Sequence, residues 1–329
     1  MDTRPAFSNM HSFTKLVMIV GLMIVSLLVV LVLGTLAAFP FWSDQIMSFA
    51  GGEPLAAVQE NLNVLRYFQV MSHLGLFVVP SLAFAWIISK SPGRFLTTHK
   101  RPATRTLLLA MLIMLSALPL VSLLNHLNHQ ISLPSALEPL ENWMRQAEAA
   151  AEQMTKFFVL SGSWQDLLFN LFMIAILPAI GEELLFRGVL QKLFRQWTGS
   201  GHAAVLITAV LFSAMHMQFL SFLPRFALGA ILGYLFLWSG KIWVPIFAHF
   251  FNNAAALGVY FLFHRGVFPY DMDELSLGMA GSFLALAGTV FLIGLFYYFR
   301  RMERANSMDE EPRAEGPPQE AIPDENGHS

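Results

Sequence analysis

The sequence predicts an all-α fold, a polytopic transmembrane bundle of about eight helical spans. Its composition is 55% apolar and only 13% charged, whereas a soluble domain has roughly a quarter of its residues charged. The mean hydropathy is +0.55. The few charges are also unevenly placed, and they leave long windows that carry none. These observations argue against any large soluble domain.

The first predicted span is the run 16–43, which contains no Asp, Glu, Lys, Arg or His. It exceeds the ~20 apolar residues that a helix needs to cross the hydrocarbon core. The alternative is a cleaved signal peptide that ends in the small residues of LGTLAA. Because the run is longer than the ~7–15 apolar residues of a signal peptide, we interpret it as a membrane-anchoring helix.

Seven further apolar windows have the length and composition of helices. They lie near 64–88, 106–125, 166–187, 203–217, 225–239, 242–263 and 278–299. Pro178 is expected to kink the fourth span or to end its first half, because proline removes a helical hydrogen bond.

The distribution of basic residues predicts the orientation of the bundle, since cytoplasmic loops carry an excess of Lys and Arg. With both termini inside, fifteen of the twenty basic residues lie on the cytoplasmic side. The loop 89–105 alone has five basic residues and no acidic ones. The five basic residues left outside are Arg66, Arg145, Lys156, Arg225 and Arg265. This arrangement, with its short loops, suits a bacterial inner membrane.

Two segments are predicted to lie outside the bilayer. Residues 135–158 place apolar side chains three and four residues apart, which predicts an amphipathic helix on the outer interface or capping the bundle. That apolar stripe consists of Leu137, Leu140, Met144, Ala147, Ala151, Met154 and Phe158. The tail 305–329 is rich in proline and acidic residues and is expected to be disordered.

The fourth span carries three charged residues, although a charge inside a span costs roughly 2.5–3.5 kcal/mol on insertion. Glu183 and Arg187 are four residues apart, so they share a helical face and can pair. Glu182 is rotated from Glu183 by ~100° and has no such partner. An unpaired carboxylate in an apolar interior is the better general base, which favours Glu182. The alternative is an ion cluster at the cytoplasmic end of a helix.

Two other spans carry polar residues that lipid does not favour. His216 ends the fifth span, and His249 and Asn253 are four residues apart in the seventh. Each alone is explained by packing or by hydrogen bonding between helices. Polar groups on three separate spans satisfy one another in a shared interior site, and that convergence predicts a functional site.

This set of side chains suits the hydrolysis of an amide. A carboxylate and an imidazole can hold and deprotonate a water, and a second imidazole with a nearby amide can donate to an oxyanion. No cofactor is expected. The open alternative is zinc bound by Glu182, His216 and His249, which is a known ligand combination. The sequence has no H-E-x-x-H motif, and with no cysteine it has neither a thiolate ligand nor a cysteine nucleophile.

At these residues the sequence resembles the CPBP family, the type 2 CAAX prenyl proteases and bacteriocin-processing enzymes also called Abi proteins. The family motifs E-E-x-x-x-R, F-x-x-x-H and H-x-x-x-N are intact and in order. They read Glu182-Glu183-LLF-Arg187, Phe212-SAM-His216 and His249-FFN-Asn253. The resemblance covers roughly residues 166–256 and leaves the earlier helices and the tail outside it.

The resemblance implies a glutamate-dependent intramembrane endopeptidase. By matching position, Glu182 and His216 activate the water, His249 and Asn253 form the oxyanion hole, and Glu183 and Arg187 support the site. The chain then divides into N-terminal helices (1–165), a protease core (166–264), a last transmembrane helix (265–304) and the tail. The implied partners are the lipid bilayer and an unidentified peptide or protein substrate, and no nucleic-acid motif is present.

Two alternatives come from other classes, a non-catalytic immunity or scaffold protein that retains the fold and a transporter. The predicted spans also raise a question of depth. Glu182 lies toward the cytoplasmic half of its span and His216 near the outer end of its own, a mismatch of up to ~10 Å at ~1.5 Å per residue. We therefore expect the fifth span to be short, tilted or sunk from the cytoplasmic side.

Overall fold

The computed structural model of the chain describes residues 10–51, 62–159, 163–267 and 279–310. These residues form nine long helices and no strand, which confirms the predicted all-α class. In chain order the helices are α1 (Ser12–Ala50), α2 (Leu62–Ile88), α3 (Thr104–His129), α4 (Glu138–Val159), α5 (Trp164–Thr198), α6 (Gly201–Met215), α7 (Phe222–Ser239), α8 (Trp243–His264) and α9 (Met279–Glu310).

Seven of the described helices are long and apolar enough to cross a membrane, namely α1, α2, α3, α5, α7, α8 and α9. The protein is therefore a multi-pass membrane protein. The remaining predicted span, 203–217, is the shorter helix α6. Its 15 residues extend only ~22 Å, against a hydrocarbon core of ~30 Å. The helix stops where Met217 adopts a φ of +54°, which a right-handed helix does not allow.

The central helix of the bundle is α5, and its apolar window is 50% buried, compared with 11% for α1. This difference follows from the sequence, because α5 carries the charged residues that must be kept from lipid. A large apolar cluster surrounds its second half, with Leu185, Phe186 and Val189 fully or almost fully buried.

One end of the bundle gathers the basic loop and several helix ends. The indole Nε1 of Trp243, at the start of α8, donates to the carbonyl of Thr98 in the loop 89–105 at 2.8 Å. Lys241 pairs with Glu303 near the end of α9 at 3.6 Å. The segments predicted to be cytoplasmic thus lie together at this end, which we call the basic end. Which side of the membrane the basic end faces stays a prediction.

The helix α4 lies at the opposite end and matches the predicted amphipathic segment. Leu137, directly before the helix, and Leu140, in its first turn, are each 45% exposed. Its last turn packs against the bundle, where Phe158 is only 6% exposed and joins Leu65 and Met173 in one apolar cluster. Of the two predicted positions, the structure supports a cap on the bundle for the C-terminal half of α4.

The predicted tail begins too early. The helix α9 continues through residues 305–310, which the sequence analysis assigned to a disordered segment. A side-chain bond supports this extension, since the Asn306 amide donates to Glu303 Oε1 at 3.3 Å. The rest of the predicted tail, 311–329, lies outside the described residues, as do the N-terminal residues 1–9.

Candidate active site

A cavity of about 690 Å³ lies between α5, α6, α7 and α8, with the C-terminal half of α4 on its wall. Four of the six candidate residues line it: Glu182, His216, His249 and Asn253. Glu183 and Arg187 are fully buried behind them. The structure therefore brings the polar residues of three helices to one place.

Glu183 is the centre of a buried ionic group. Its Oε1 accepts from Arg187 Nη1 at 2.7 Å, which is the pair that the helical spacing predicts. The same oxygen accepts from His249 Nδ1 at 2.8 Å. Because an ionised carboxylate only accepts, this bond places a proton on Nδ1. Glu183 thus connects α5 to α8 through side chains that are fully or almost fully buried.

Arg187 extends the group to α7. Its Nη2 donates to the carbonyl of Gly229 at 2.8 Å. A side chain at this glycine would bring its Cβ within 3.1 Å of Phe212 Cδ1 and 3.2 Å of Ala209 Cα. Gly229 is therefore needed for the close approach of α7 to α6, and this approach places its carbonyl within reach of Arg187.

Glu182 differs from its neighbour as the helical rotation predicts. It lines the cavity while Glu183 faces the ion group. It is 7% exposed, and its Oε2, like that of Glu183, is a buried atom that has no hydrogen-bond partner among the described residues. A buried carboxyl group without a counter-ion contact can accept a proton from a water in the cavity.

His216 follows the last turn of α6, where its Nδ1 lies 2.8 Å from the carbonyl of Phe212. A carbonyl only accepts, so Nδ1 carries the proton and Nε2 of the neutral ring is an acceptor. The left-handed conformation of Met217 turns the chain immediately after this histidine. His216 is thus arranged to accept a hydrogen bond from a water.

Phe212 is a residue of the second motif to which the sequence analysis assigned no role. Its ring centroid lies 4.9 Å from that of His216 and 5.9 Å from that of His249. Arg187 Cζ is 4.9 Å from the centroid of the same ring, in a cation–π contact. Phe212 therefore orients both histidines, and its place in the F-x-x-x-H motif was the signal in the sequence.

Asn253 contacts a carbonyl whose usual α-helical donor is missing. In a regular α-helix the carbonyl of Ile174 would accept from the N–H of residue 178, but Pro178 has none. The Asn253 amide donates to that carbonyl at 3.2 Å. The helix does not end at Pro178: a π-helical segment, Leu171–Ile176, precedes the proline, and the helix continues to Thr198. Asn253 thus joins α8 to α5 and also lines the cavity.

Two residues near the site were not assigned to it by the sequence analysis. Arg225 lines the cavity, although it was counted only as an outer basic residue. His73 was interpreted as a packing residue, and it is 7% exposed with its Nε2 against Gly181, next to Glu182. Both were detectable as polar residues inside predicted spans, but neither belongs to one of the three family motifs.

A three-ligand zinc site was the open alternative for these residues. Within the part of the chain that the structure describes, no three His, Asp or Glu side chains form a group that could hold a metal ion. Glu182, His216 and His249 do line the same cavity, and the bond from Nδ1 of His249 to Glu183 leaves Nε2 of that ring available, so the choice between zinc and metal-free chemistry stays a prediction.

The protein is thus a multi-pass membrane protein in which a set of polar residues is buried among the helices. Residues 164–255 match the family described as "Type II CAAX prenyl endopeptidase Rce1-like". The matched segment begins with α5, includes α6 and α7, and contains all three motifs up to Asn253. This match confirms the family resemblance that the motifs predict.

Two curated relatives also match. One is "Uncharacterized protein YpbD" of Bacillus subtilis, 35% identical over 89 residues, which are 26% of this chain and 42% of that protein. The other is "Uncharacterized 24.3 kDa protein" of Escherichia coli, 34% identical over 117 residues, 33% of this chain and 50% of that protein. The chain thus spans half the length of these relatives or less. No solved structure matches.

Proposed function

We propose that this protein is an intramembrane endopeptidase that hydrolyses a peptide bond without a covalent intermediate. One observation carries the proposal. Glu182, a buried carboxylate with an oxygen left without a partner in the described residues, lines the same cavity as His216, His249 and Asn253. The family match supports the reaction class, because the family is described as an endopeptidase.

In the proposed reaction, a water lies between Glu182 and Nε2 of His216. Glu182 takes a proton from this water, and the oxygen of the water attacks the carbonyl carbon of the peptide bond. The tetrahedral intermediate then collapses, and Glu182 returns the proton to the amide nitrogen as the C–N bond breaks. The products are a carboxylic acid and an amine, and Glu182 ends in its initial state.

The oxyanion of the intermediate accepts from the Asn253 amide and from Nε2 of His249. Because Nδ1 of His249 already donates to Glu183, donation from Nε2 requires the ring to carry both protons. Glu183 has a direct role in this scheme, since its carboxylate stabilises the imidazolium form. With Arg187 and the imidazolium balancing Glu182 and Glu183, the four groups sum to zero charge.

Proteomics of membranes tests the activity where the substrate is unknown. Membranes that contain Glu182→Gln are compared with those that contain the unaltered protein, and we expect uncleaved precursors to accumulate in the variant. Glu303→Gln is the matched control, because Glu303 is also buried but lies at the basic end, away from the cavity. An unchanged proteome with an intact phenotype would favour the non-catalytic immunity or scaffold alternative.

We propose further that catalysis needs no metal, and purified protein can decide this. After extensive treatment with a chelator, we expect activity to persist and elemental analysis to find well under one zinc per chain. Loss of activity on chelation, with recovery on addition of one equivalent of zinc, would replace the metal-free scheme with one in which Glu182, His216 and His249 bind the metal.

The location is the third part of the proposal. We place the protein in a bacterial inner membrane with the basic end, and hence both termini, in the cytoplasm. The physical support is the excess of Lys and Arg at that end, and both curated relatives are bacterial. The prenylated substrates in the family's name are not assigned to this chain.

A further inference from the structure

A second cavity, of about 730 Å³, is a groove between α5 and α8 that reaches the basic end of the bundle. Two apolar stripes with helical spacing form its walls. They consist of Ile176, Ala179 and Ile180 on α5 and of Ile246, Phe247 and Phe250 on α8. The stripe on α8 continues from Trp243 to Phe250, so the groove extends ~10 Å along that helix at ~1.5 Å per residue. Glu182 and His249 line the active-site cavity from other faces of the same two helices.

The mouth of the groove has the composition of a membrane–water interface. It is formed by Trp243, Leu107 and three residues of the basic loop, Thr98, Arg101 and Pro102. Trp243 is 40% exposed, and its indole donates to the carbonyl of Thr98 at 2.8 Å, which holds the loop against the start of α8. Because tryptophan is enriched at the level of the lipid headgroups, this contact places the mouth at that level.

The charge at the mouth is positive and largely uncompensated. Arg101 is exposed, and among the described residues it forms no hydrogen bond and no ion pair. The loop 89–105 contains no acidic residue, and neither do the first turns of α3 and α8. Glu303, an acidic residue of α9 at this end, is already paired with Lys241 and bonded to Thr106. The guanidinium of Arg101 therefore keeps its donors available to an anion beside an apolar groove.

We propose that this groove binds one anionic phospholipid, with an acyl chain along the two apolar stripes and the headgroup phosphate on Arg101. A guanidinium binds a phosphate through two parallel hydrogen bonds. Basic pockets between transmembrane helices are suited to anionic headgroups, and here the pocket continues into a groove that fits the chain of the same molecule. A zwitterionic phosphatidylcholine fills the apolar part equally well, but its ammonium group is repelled by the basic loop. This inference does not rest on the proposed function.

Native mass spectrometry of the full chain, released from a neutral detergent, measures the binding of defined lipids. Phosphatidylglycerol, which carries a net negative charge, is compared with phosphatidylcholine of identical acyl chains. We expect the first phosphatidylglycerol to bind about 5–10-fold more tightly than phosphatidylcholine. Arg101→Gln should remove most of this preference and leave the affinity for phosphatidylcholine unchanged. Because Arg101 forms no described polar contact, its replacement should not disturb the fold.

Matched variants separate the site from general effects of charge and bulk. Arg94→Gln removes an exposed basic residue of the same loop that does not line the groove, so it should keep the preference. Ile176→Trp places an indole in the groove and should weaken the binding of both lipids. Leu168→Trp is its control, because Leu168 is 67% exposed on α5 outside the groove. A melting curve of each variant without added lipid reports whether it is folded, and if Ile176→Trp is not, the two arginine variants alone decide.

Several results would overturn the site. Equal affinities for the two lipids, or equal losses in Arg94→Gln and Arg101→Gln, would indicate ordinary surrounding lipid or a general effect of surface charge. Unchanged lipid binding by folded Ile176→Trp would exclude the groove. Displacement of phosphatidylglycerol by glycerol phosphate, the headgroup without chains, would indicate an anion site and not a lipid site. Since none of these measurements uses peptide cleavage, their failure would leave the proposed function untouched.

Discussion

Glu182 and Glu183 are neighbours in the chain but have opposite surroundings. Glu183 accepts from Arg187 and His249, whereas Glu182 faces the cavity. The difference arises from ~100° of helical rotation between consecutive residues. At the scale of the residue, the two carboxylates should therefore respond differently to the same loss of charge.

Replacement of each glutamate by glutamine tests this difference. Glu183→Gln should lower the free energy of unfolding by about 3–5 kcal/mol, because it leaves Arg187 charged and buried without its partner. Glu182→Gln should abolish turnover with little change in stability, since it keeps the shape and loses only the base. Unfolding and turnover are measured for both variants in the same detergent. If the two variants melt alike, the assignment of roles is wrong.

In the structure, the Asn253 amide donates to the carbonyl of Ile174. In the proposed reaction, the same amide also donates to the oxyanion. Asn253→Ala should lower kcat by ~10²–10³ with little change in substrate affinity. It should also lower stability by ~0.6–1.7 kcal/mol through the lost bond between helices. Gln191→Ala is the control, because it removes a similar amide bond between helices, to the carbonyl of Gly233, and neither residue lines the cavity. A destabilised but fully active Asn253→Ala protein would remove the residue from the site.

At the scale of the element, α5 combines regular and widened turns. Its α-helical part Leu177–Glu183 lies between the π-helical segments Leu171–Ile176 and Leu184–Leu190. The helix α2 has a similar segment, Leu74–Val78, directly after His73. Such widened turns often occur at functional sites. Here they adjoin the contact between His73 and Gly181, which places α2 against the turn that carries Glu182.

Gly181→Ala tests that contact. An added Cβ would lie 2.7 Å from His73 Nε2 and 3.0 Å from Val78 Cγ2, so the His73 ring or one of the helices must shift. We expect a loss of about 1–3 kcal/mol in stability from overpacking, together with reduced turnover because Glu182 moves. Gly258→Ala is the matched control on α8, since its Cβ would meet no described atom within 4 Å. Equal behaviour of the two variants would contradict the proposed role of the contact.

At the scale of the whole molecule, the bundle has a basic end and an end covered by α4. The chain has no cysteine, so single cysteines can report which side each end faces. An impermeant thiol reagent applied to intact cells should label Gln153→Cys on α4 and spare Ser91→Cys in the loop 89–105, and both positions are exposed. Labelling in disrupted cells controls for reactivity. The reverse pattern would invert the proposed orientation.

Several features of this protein follow from local sequence alone. The spans are visible because a helix in lipid must be apolar for ~20 residues. The pair of Glu183 with Arg187, and the separation of Glu182 from it, follow from the 3.6-residue period of the helix. The amphipathic segment around α4 was visible for the same reason. Intact motifs then indicated the family, although they could not show how their residues contact one another.

Other features depend on which helices pack together. The bond from His249 to Glu183, the role of Phe212 between two histidines, and the place of Arg225 on the cavity wall join residues that are far apart in the chain. The hydrogen bond from Asn253 to Ile174 joins two residues that are 79 positions apart in the sequence. No periodicity encodes such contacts, because they arise only when buried polar groups of different helices satisfy one another in a medium that offers them no water.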